Sequence, residues 1–487
     1  MTMLRAPAAG GPVLAGKPGD RSRAPRALRR GGVPLVGDAL LALGLLLTTA
    51  SQLRRGDLPI GPGELCLVLW LVLMLGRELG WLGPRLSPAL ARLLVFWTLF
   101  AFAQGLGFLT GLFVGEQYDF RWLLHDTMAY PLLIAVSCLS VVDPGARPRL
   151  RRVAWLLTVF GSAALAFQVA VGWRLLDVPL IQPWYWERFR GWSANPNQLA
   201  LLCVVLGPLA LHLAETTARP GGRLIAILCM ILPIYVGRMT GSDTFTLALA
   251  ASGPIFVAVK LRTWLLRSER RMAVHSEFAW IVVLGLPLML VSLVPLVFAV
   301  TADAGIFATD LAKNGGKELR QESDLRFSLW TEAVQLGVRT SFLGLGPGPH
   351  LEIPASIVDA RAKTKDQPEN LEHPQQTAAP NFEAHNSFLD LLTQGGIIAV
   401  LSFAWILFVS MRAAYQARLA ALTALICGLG VFCMTGLIVR HPLFWFAIAL
   451  CLVADDGTDR LVAVQIQRRT KSQAGIVSKR IRPGAAP

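Results

Sequence analysis

His385 and Asn386 stand in the stretch NFEAHNSFLDLLTQGG (381–396), where a long polar segment gives way to an apolar run. A neutral imidazole at such a junction can accept a proton from a hydroxyl group. Arginines are set at junctions of the same kind. Arg188 and Arg190 lie in WYWERFRGWSANPNQLALL (184–202), Arg238 in VGRMTGSDTFTLAL (236–249), Arg326 in ESDLRFSLWTEAVQLGVRTSFLGLGPGPH (322–350), and Arg440 precedes His441 and Pro442. Guanidinium forks match phosphate oxygens and stay charged. The long polar segment has no Asp/Glu cluster of the kind a divalent cation demands, so no metal and no other cofactor is expected. Histidine with arginine and no metal suits attack by a hydroxyl on a diphosphate-activated carbon, the arginines neutralising the leaving diphosphate. His385 is the first candidate for the base, and His441 is its rival. Arg326 and Arg238 are the first candidates to grip the diphosphate, with Arg188, Arg190 and Arg440 in reserve. Asn195, Asn197, Trp330 and Asn386 complete the candidate substrate-binding set. Each has a plainer reading: the arginines can snorkel or anchor at headgroup height, and His385 can simply satisfy its neighbours.

The elements that position these residues follow from composition. Of 487 residues, 54% are hydrophobic and only 16% charged, with mean hydropathy +0.52. A soluble chain carries about 25% charged residues. Apolar blocks such as CLVLWLVLMLG (66–76), WIVVLGLPLMLVSLVPLVFAV (280–300) and IIAVLSFAWILFVSM (397–411) approach the length a helix needs to cross the hydrocarbon core. Backbone groups must be satisfied within lipid, so these blocks are expected to be helices. The fold class is therefore an all-α polytopic membrane protein of about twelve transmembrane helices. The spans fall near 33–50, 61–76, 92–114, 122–142, 153–172, 197–215, 223–239, 244–260, 278–301, 386–411, 419–438 and 442–455. The organisation expected is a tail at 1–32, spans one to nine over 33–301, a large loop at 302–385 containing an amphipathic helix, spans ten to twelve over 386–455, and a tail at 456–487. The basic, apolar and TTAS sequence before Ser51 has the outline of a signal peptide, but the many later spans favour a first membrane helix.

The net charge of +15 raises nucleic acid as a partner. The basic residues are instead spread among membrane loops, where they act as topology signals, and the tails suit anionic headgroups. The tails and the connections near 77–92, 143–152, 216–223, 260–277 and 412–418 hold 30 of the 46 Lys and Arg residues. That side is expected to be cytoplasmic, with both termini on it and the 302–385 loop opposite. Arg54 and Arg55 dissent from this topology. All seven cysteines fall in apolar runs, without metal-ligand spacing.

Local signals sharpen the rim. Asn195 followed by Pro196 reads as an N-cap with proline at the first helical position. Asp324 is expected to cap a helix beginning at Leu325, on which Arg326, Trp330, Ala333 and Gly337 share one face. Its amphipathic pattern predicts a helix lying along the membrane or covering a cavity. Ser387 with Asp390 fits a capping box. The polar stretch 360–380 is expected to be a flexible flap. The glycines at 344, 346 and 348 make a tight turn, and a dinucleotide fingerprint is a poor reading without a βαβ context.

NPNQLA at 195–200, TGSDT at 240–244, DLRFSLWTEA at 324–333 with FLGLGPG at 342–348, and AHNSFLDLLTQGGIIAVL at 384–401 together resemble the O-antigen ligase/polymerase superfamily in order and spacing. The resemblance covers roughly spans six to ten; the first five spans match only in hydropathy. It implies a glycosyltransferase of the bacterial inner membrane, with a large periplasmic loop and both termini cytoplasmic. It implies an undecaprenyl-diphosphate-linked glycan as donor, a second glycan or lipid A–core as acceptor, and no metal. The family's histidine falls on His385 and its loop arginine on Arg326. Family members often carry Thr-x-Ser-Arg at the turn between spans seven and eight; here Asp243 stands where that arginine would be, and Arg238 lies about one helical turn earlier. This departure leans towards a polymerase rather than a ligase to lipid A–core. A non-enzymatic polysaccharide transporter is the alternative from another class.

Overall fold

The computed structural model describes residues 33–54, 60–79, 86–116, 118, 120–143, 145–178, 181–268, 317–352 and 380–454. The expected ninth span, both tails and most of the 360–380 flap lie outside the described residues. Those residues form α1 (Val33–Leu47), α2 (Pro62–Leu79), α3 (Pro88–Val114), α4 (Phe120–Val142), α5 (Ala146–Gly172) and α6 (Pro196–Thr216). Then come α7 (Pro220–Met239), α8 (Asp243–Ser268), α9 (Lys317–Arg339), α10 (Ser387–Gln416), α11 (Ala420–Cys433) and α12 (Pro442–Ala454). Five of these begin on proline, whose fixed φ suits a first turn and whose missing N–H is not needed there. Ser87 accepts from the Leu90 amide and Asn195 from the Gln198 amide, so both helices start on a side-chain cap.

The chain is all-α and polytopic. Helices α3 to α8 and α10 are each long and apolar enough to cross a membrane, and α1, α11 and α12 are shorter apolar helices. Every residue of α12 is buried. It therefore lies in the core of the bundle. Trp445 lies 4.3 Å from Trp97 and 4.9 Å from Phe96 on α3, centroid to centroid, and Phe444 is 5.6 Å from Phe403 on α10. Such tilted aromatic contacts add to the burial itself.

Polar contacts sort to the two ends of the bundle. At one end Arg77 pairs with Asp143, Arg152 with Asp38 at 2.6 Å, and Lys260 with Glu215 at 2.5 Å. The other end gathers the α1–α2, α5–α6, α7–α8 and α11–α12 connections, the 340–352 loop and the start of α10. Arg54, the dissenter in the charge pattern, lies at this second end and is neutralised by Glu64 at 2.5 Å.

Two expected caps shift. Helix α9 begins at Lys317, so Asp324 is interior to it rather than its cap. The cap of α10 is Asn386, not Ser387. Its Oδ1 accepts from the amides of Phe388 (3.0 Å) and Leu389 (3.4 Å), because an asparagine oxygen one residue earlier reaches two orphan donors together.

Candidate functional site

The site is assembled around a break in α10. Gly396 has φ 63 and ψ −161 in the midst of the helix, a conformation open to glycine almost alone. The break frees the Thr393 and Gln394 carbonyls, and the glycine-rich 344–348 loop takes them up. Leu345 and Gly346 donate to them at 2.7 Å each, and the Ile397 amide donates to the Phe342 carbonyl at 2.9 Å. Backbone groups at membrane depth must be satisfied by protein, and here two sequence motifs satisfy one another. The fit is close enough that a Cβ at Gly396 would overlap the Phe342 carbonyl, and one at Gly107 on α3 would overlap the Gln394 carbonyl. The Tyr118 hydroxyl donates to the Leu345 carbonyl at 2.6 Å, and His350 bridges Glu116 (3.1 Å) and the Gly346 carbonyl (2.8 Å). The loop is thereby locked to α3 and α10.

His385 lies three turns before that break, exposed, with φ 51. Its neighbours are fixed from several sides. The carboxyl of Asp390, 2% exposed, accepts from the Ala384 amide at 2.6 Å and from the Asn386 amide at 3.2 Å. The Trp330 indole donates to the Ala384 carbonyl at 3.0 Å. The Ser387 hydroxyl donates to the Gly436 carbonyl at 2.5 Å and accepts from the Ile438 amide. A left-handed L residue costs about 1–2 kcal/mol. The two bonds to Asp390, at about 0.5–1.5 kcal/mol each, are of the size needed to offset it. Dense protein around His385 lowers its imidazole from the ordinary value by removing water; Glu383 works against this and Arg326 with it. The imidazole is therefore neutral at pH 7, as a proton acceptor must be.

Helix α9 packs Leu329, Ala333 and Gly337 inward, where they meet Leu351, Ala384 and α10. This is the face shared by Trp330, as expected. Arg326 is exposed at its edge and close enough to act on His385. Phe327, Val334 and Val338 form an exposed apolar stripe on the other side of α9, in keeping with its amphipathic pattern.

The remaining candidates fall into three positions. Arg188 donates to the Thr240 carbonyl at 3.0 Å and to Asn197 Oδ1 at 3.3 Å, so it lies across the turn that carries Asp243. That turn reaches the His385 segment through a continuous chain: Thr244 bonds Thr435 at 3.0 Å, and the adjacent Gly436 bonds Ser387. Arg190 is held by Gln182 and stands over the Tyr185 ring at 5.3 Å. Asn195 is engaged as the α6 cap. Arg238 continues the exposed face of Ile231, Ile234 and Tyr235 on α7 and donates to Thr246 at 2.8 Å, the position of a cation at the rim of a lipid-facing surface. Arg440 is committed to two carboxylates, Glu383 and Asp126, at 2.6 Å each. Burial acts against its charge, but Tyr130, Asp126 and Glu383 outweigh it and hold the guanidinium ionised. His441 accepts from the Leu443 amide at 3.3 Å, and burial beside Arg54 pushes its imidazole down to about 4.

In the sequence Asp390 reads as a capping residue, and Asp126, Glu383 and the Gly395–Gly396 break do not stand out as site elements. The glycine pair inside an apolar run was the available signal for the break. Asp126 and Glu383 gave none, since their shared partner Arg440 is 314 and 57 positions away in the chain.

Residues 227–404 match the family model described as O-antigen ligase. No curated protein matches the chain. The matched span takes in Arg238, the 240–243 turn, Arg326, Trp330, the glycine loop, His385, Asn386 and the break at Gly396. Arg188, Arg190, Asn195, Asn197, Arg440 and His441 lie outside it. Residues 227–404 are thus a domain of the O-antigen ligase family, carried in a multi-pass membrane protein whose role is of the ligase/polymerase type.

Proposed function

We propose that this protein is a metal-independent glycosyltransferase of the bacterial inner membrane. It takes a glycan from undecaprenyl diphosphate on the periplasmic face and passes it to an acceptor hydroxyl, polymerising or ligating O-antigen or exopolysaccharide units. Both termini are cytoplasmic in this reading, and the end of the bundle that bears His385 is periplasmic. His385 takes the proton of the acceptor hydroxyl as its oxygen bonds to the anomeric carbon. The bond from that carbon to the diphosphate breaks, and undecaprenyl diphosphate leaves with the electron pair. Arg326 neutralises the charge that develops on the leaving group, and Arg188 and Arg190 serve the donor from the α5–α6 connection. Arg440 braces the histidine segment through Glu383, and Arg238 anchors at the lipid surface. The acceptor arrives from water and the donor from lipid, which accounts for a base at the rim rather than at the midplane.

One observation carries this reading: within the matched domain, a neutral, exposed imidazole is held in a left-handed turn by bonds from the amides of its two neighbours to Asp390, within the influence of Arg326. The test is deletion of the gene, complemented with wild type, His385→Ala or His441→Ala, with surface glycans run on a gel. Long chains lost with single units still attached mean a polymerase. Attached glycan lost altogether, with lipid-linked chains accumulating, means a ligase. A wild-type pattern from His385→Ala rejects the assignment of the base, and rejects it in favour of His441 if that variant alone fails.

A further inference from the structure

Asp390 is a buried acidic group bonded to both neighbours of His385, and the transfer step as written has no use for it. Its two oxygens do not reach outward. Oδ1 accepts from the Ala384 amide and Oδ2 from the Asn386 amide, so one carboxyl straddles the residue between them. That residue, His385, is the one whose φ of 51 an L side chain rarely adopts. Asp390 is itself fixed, because its amide donates to the Asn386 carbonyl at 2.8 Å within the first turn of α10. The arrangement ties the histidine backbone to a membrane helix and leaves its side chain exposed. The bond to the amide of the N-cap Asn386 is of the capping-box kind; the bond to the Ala384 amide lies outside the helix, and capping does not call for it.

We infer that Asp390 is a positioning residue for the transfer reaction: by accepting from the amides on both sides of His385 it sets the direction in which the imidazole meets the acceptor hydroxyl. Only a side chain with two acceptor atoms at this reach can do so. An asparagine would offer one oxygen and turn its NH2 group towards an N–H. Misplacing a base by about 1 Å can cost on the order of 100-fold in rate, so the loss should be large while substrate binding is kept. This rests on the reading of His385 as general base.

The test uses full-length protein in native membranes. The donor is the lipid-linked glycan that accumulates in cells deleted for the gene, extracted from them, and membranes of the same cells supply the acceptor. Wild type, His385→Ala, Asp390→Asn and the double variant are compared at equal protein. The expected result is a kcat for Asp390→Asn reduced about 10- to 100-fold with donor KM within about twofold of wild type. In the His385→Ala background the same substitution should change the residual rate by less than about twofold, since a positioning group has nothing left to position. Unchanged kcat in Asp390→Asn overturns the inference, as does an equal loss in both backgrounds, which marks a merely structural role. If Asp390→Asn does not accumulate, Asp390→Glu goes through the same cycle under the same two criteria. A wild-type rate in His385→Ala overturns the base assignment itself and the positioning role with it. Full loss in His385→Ala beside an unaffected Asp390→Asn overturns the positioning role alone.

Discussion

Replacing Arg440 with alanine removes the one cation that Asp126 and Glu383 share. The side chain of Asp126 is fully buried, that of Arg440 is 11% exposed, and that of Glu383 is 25% exposed. The Glu383 pair alone is a partly solvated contact worth about 0–1 kcal/mol. The Asp126 pair is different, since breaking a buried ion pair from one side leaves an uncompensated charge and costs about 3–5 kcal/mol. His125 Nδ1 lies 3.1 Å from the other oxygen of Asp126 and remains after the substitution, so the expected cost lies near the low end, about 3 kcal/mol. A loss of that size lowers the folded-to-unfolded ratio roughly 100-fold. Equilibrium unfolding of detergent-purified protein measures it. Asp126→Asn combined with Arg440→Gln, which replaces two charges by a neutral hydrogen-bonding pair, should recover most of the loss. The reasoning is refuted if Arg440→Ala unfolds within about 1 kcal/mol of wild type, or if the double variant is as unstable as the single one.

Three further outcomes are expected. Gly396→Ala forces a Cβ against the Phe342 carbonyl at a φ of 63 and should cost about 2–5 kcal/mol, read as a lowered unfolding midpoint; Gly253→Ala on α8, with open space around it, is the control and should be nearly neutral. If His385 is the base, kcat/KM falls as pH drops through its folded value. That value is depressed from 6.5, so the acid limb should lie below 6.5 and the profile stay flat from there to neutrality; a limb at pH 7 or above contradicts the geometry. His441 is held neutral down to about 4, so below 6.5 the unfolded chain binds a proton that the folded chain refuses. Stability should therefore fall as pH drops from about 6.5 to about 4, and His441→Gln should flatten the unfolding midpoint across that window.

What could be read from the chain and what could not divides along one physical line, the distance over which a signal acts. Spans, proline starts and the Asn195 cap are local, because each depends on hydropathy or capping chemistry within one or two turns, and the helices formed where those signals lie. The face of α9 that packs is local for the same reason, since Trp330, Ala333 and Gly337 recur at helical spacing. The α10 cap moved by one residue because Asn386 and Ser387 are both competent caps, and only the pull of Gly436 on the Ser387 hydroxyl separates them. The site itself is non-local. Arg440 looked like a phosphate ligand in isolation, as any arginine at a membrane rim does, until Asp126 and Glu383 arrived from elsewhere in the chain. Asp390 lay in plain view five residues from His385, but its role needs the left-handed turn, which histidine's modest preference for that region does not by itself foretell. The same logic ties the TQGG and FLGLGPG motifs of this chain to one another. Each leaves backbone groups unsatisfied that only the other can satisfy, so neither could be altered without the other in a membrane that offers no water to replace the lost bonds.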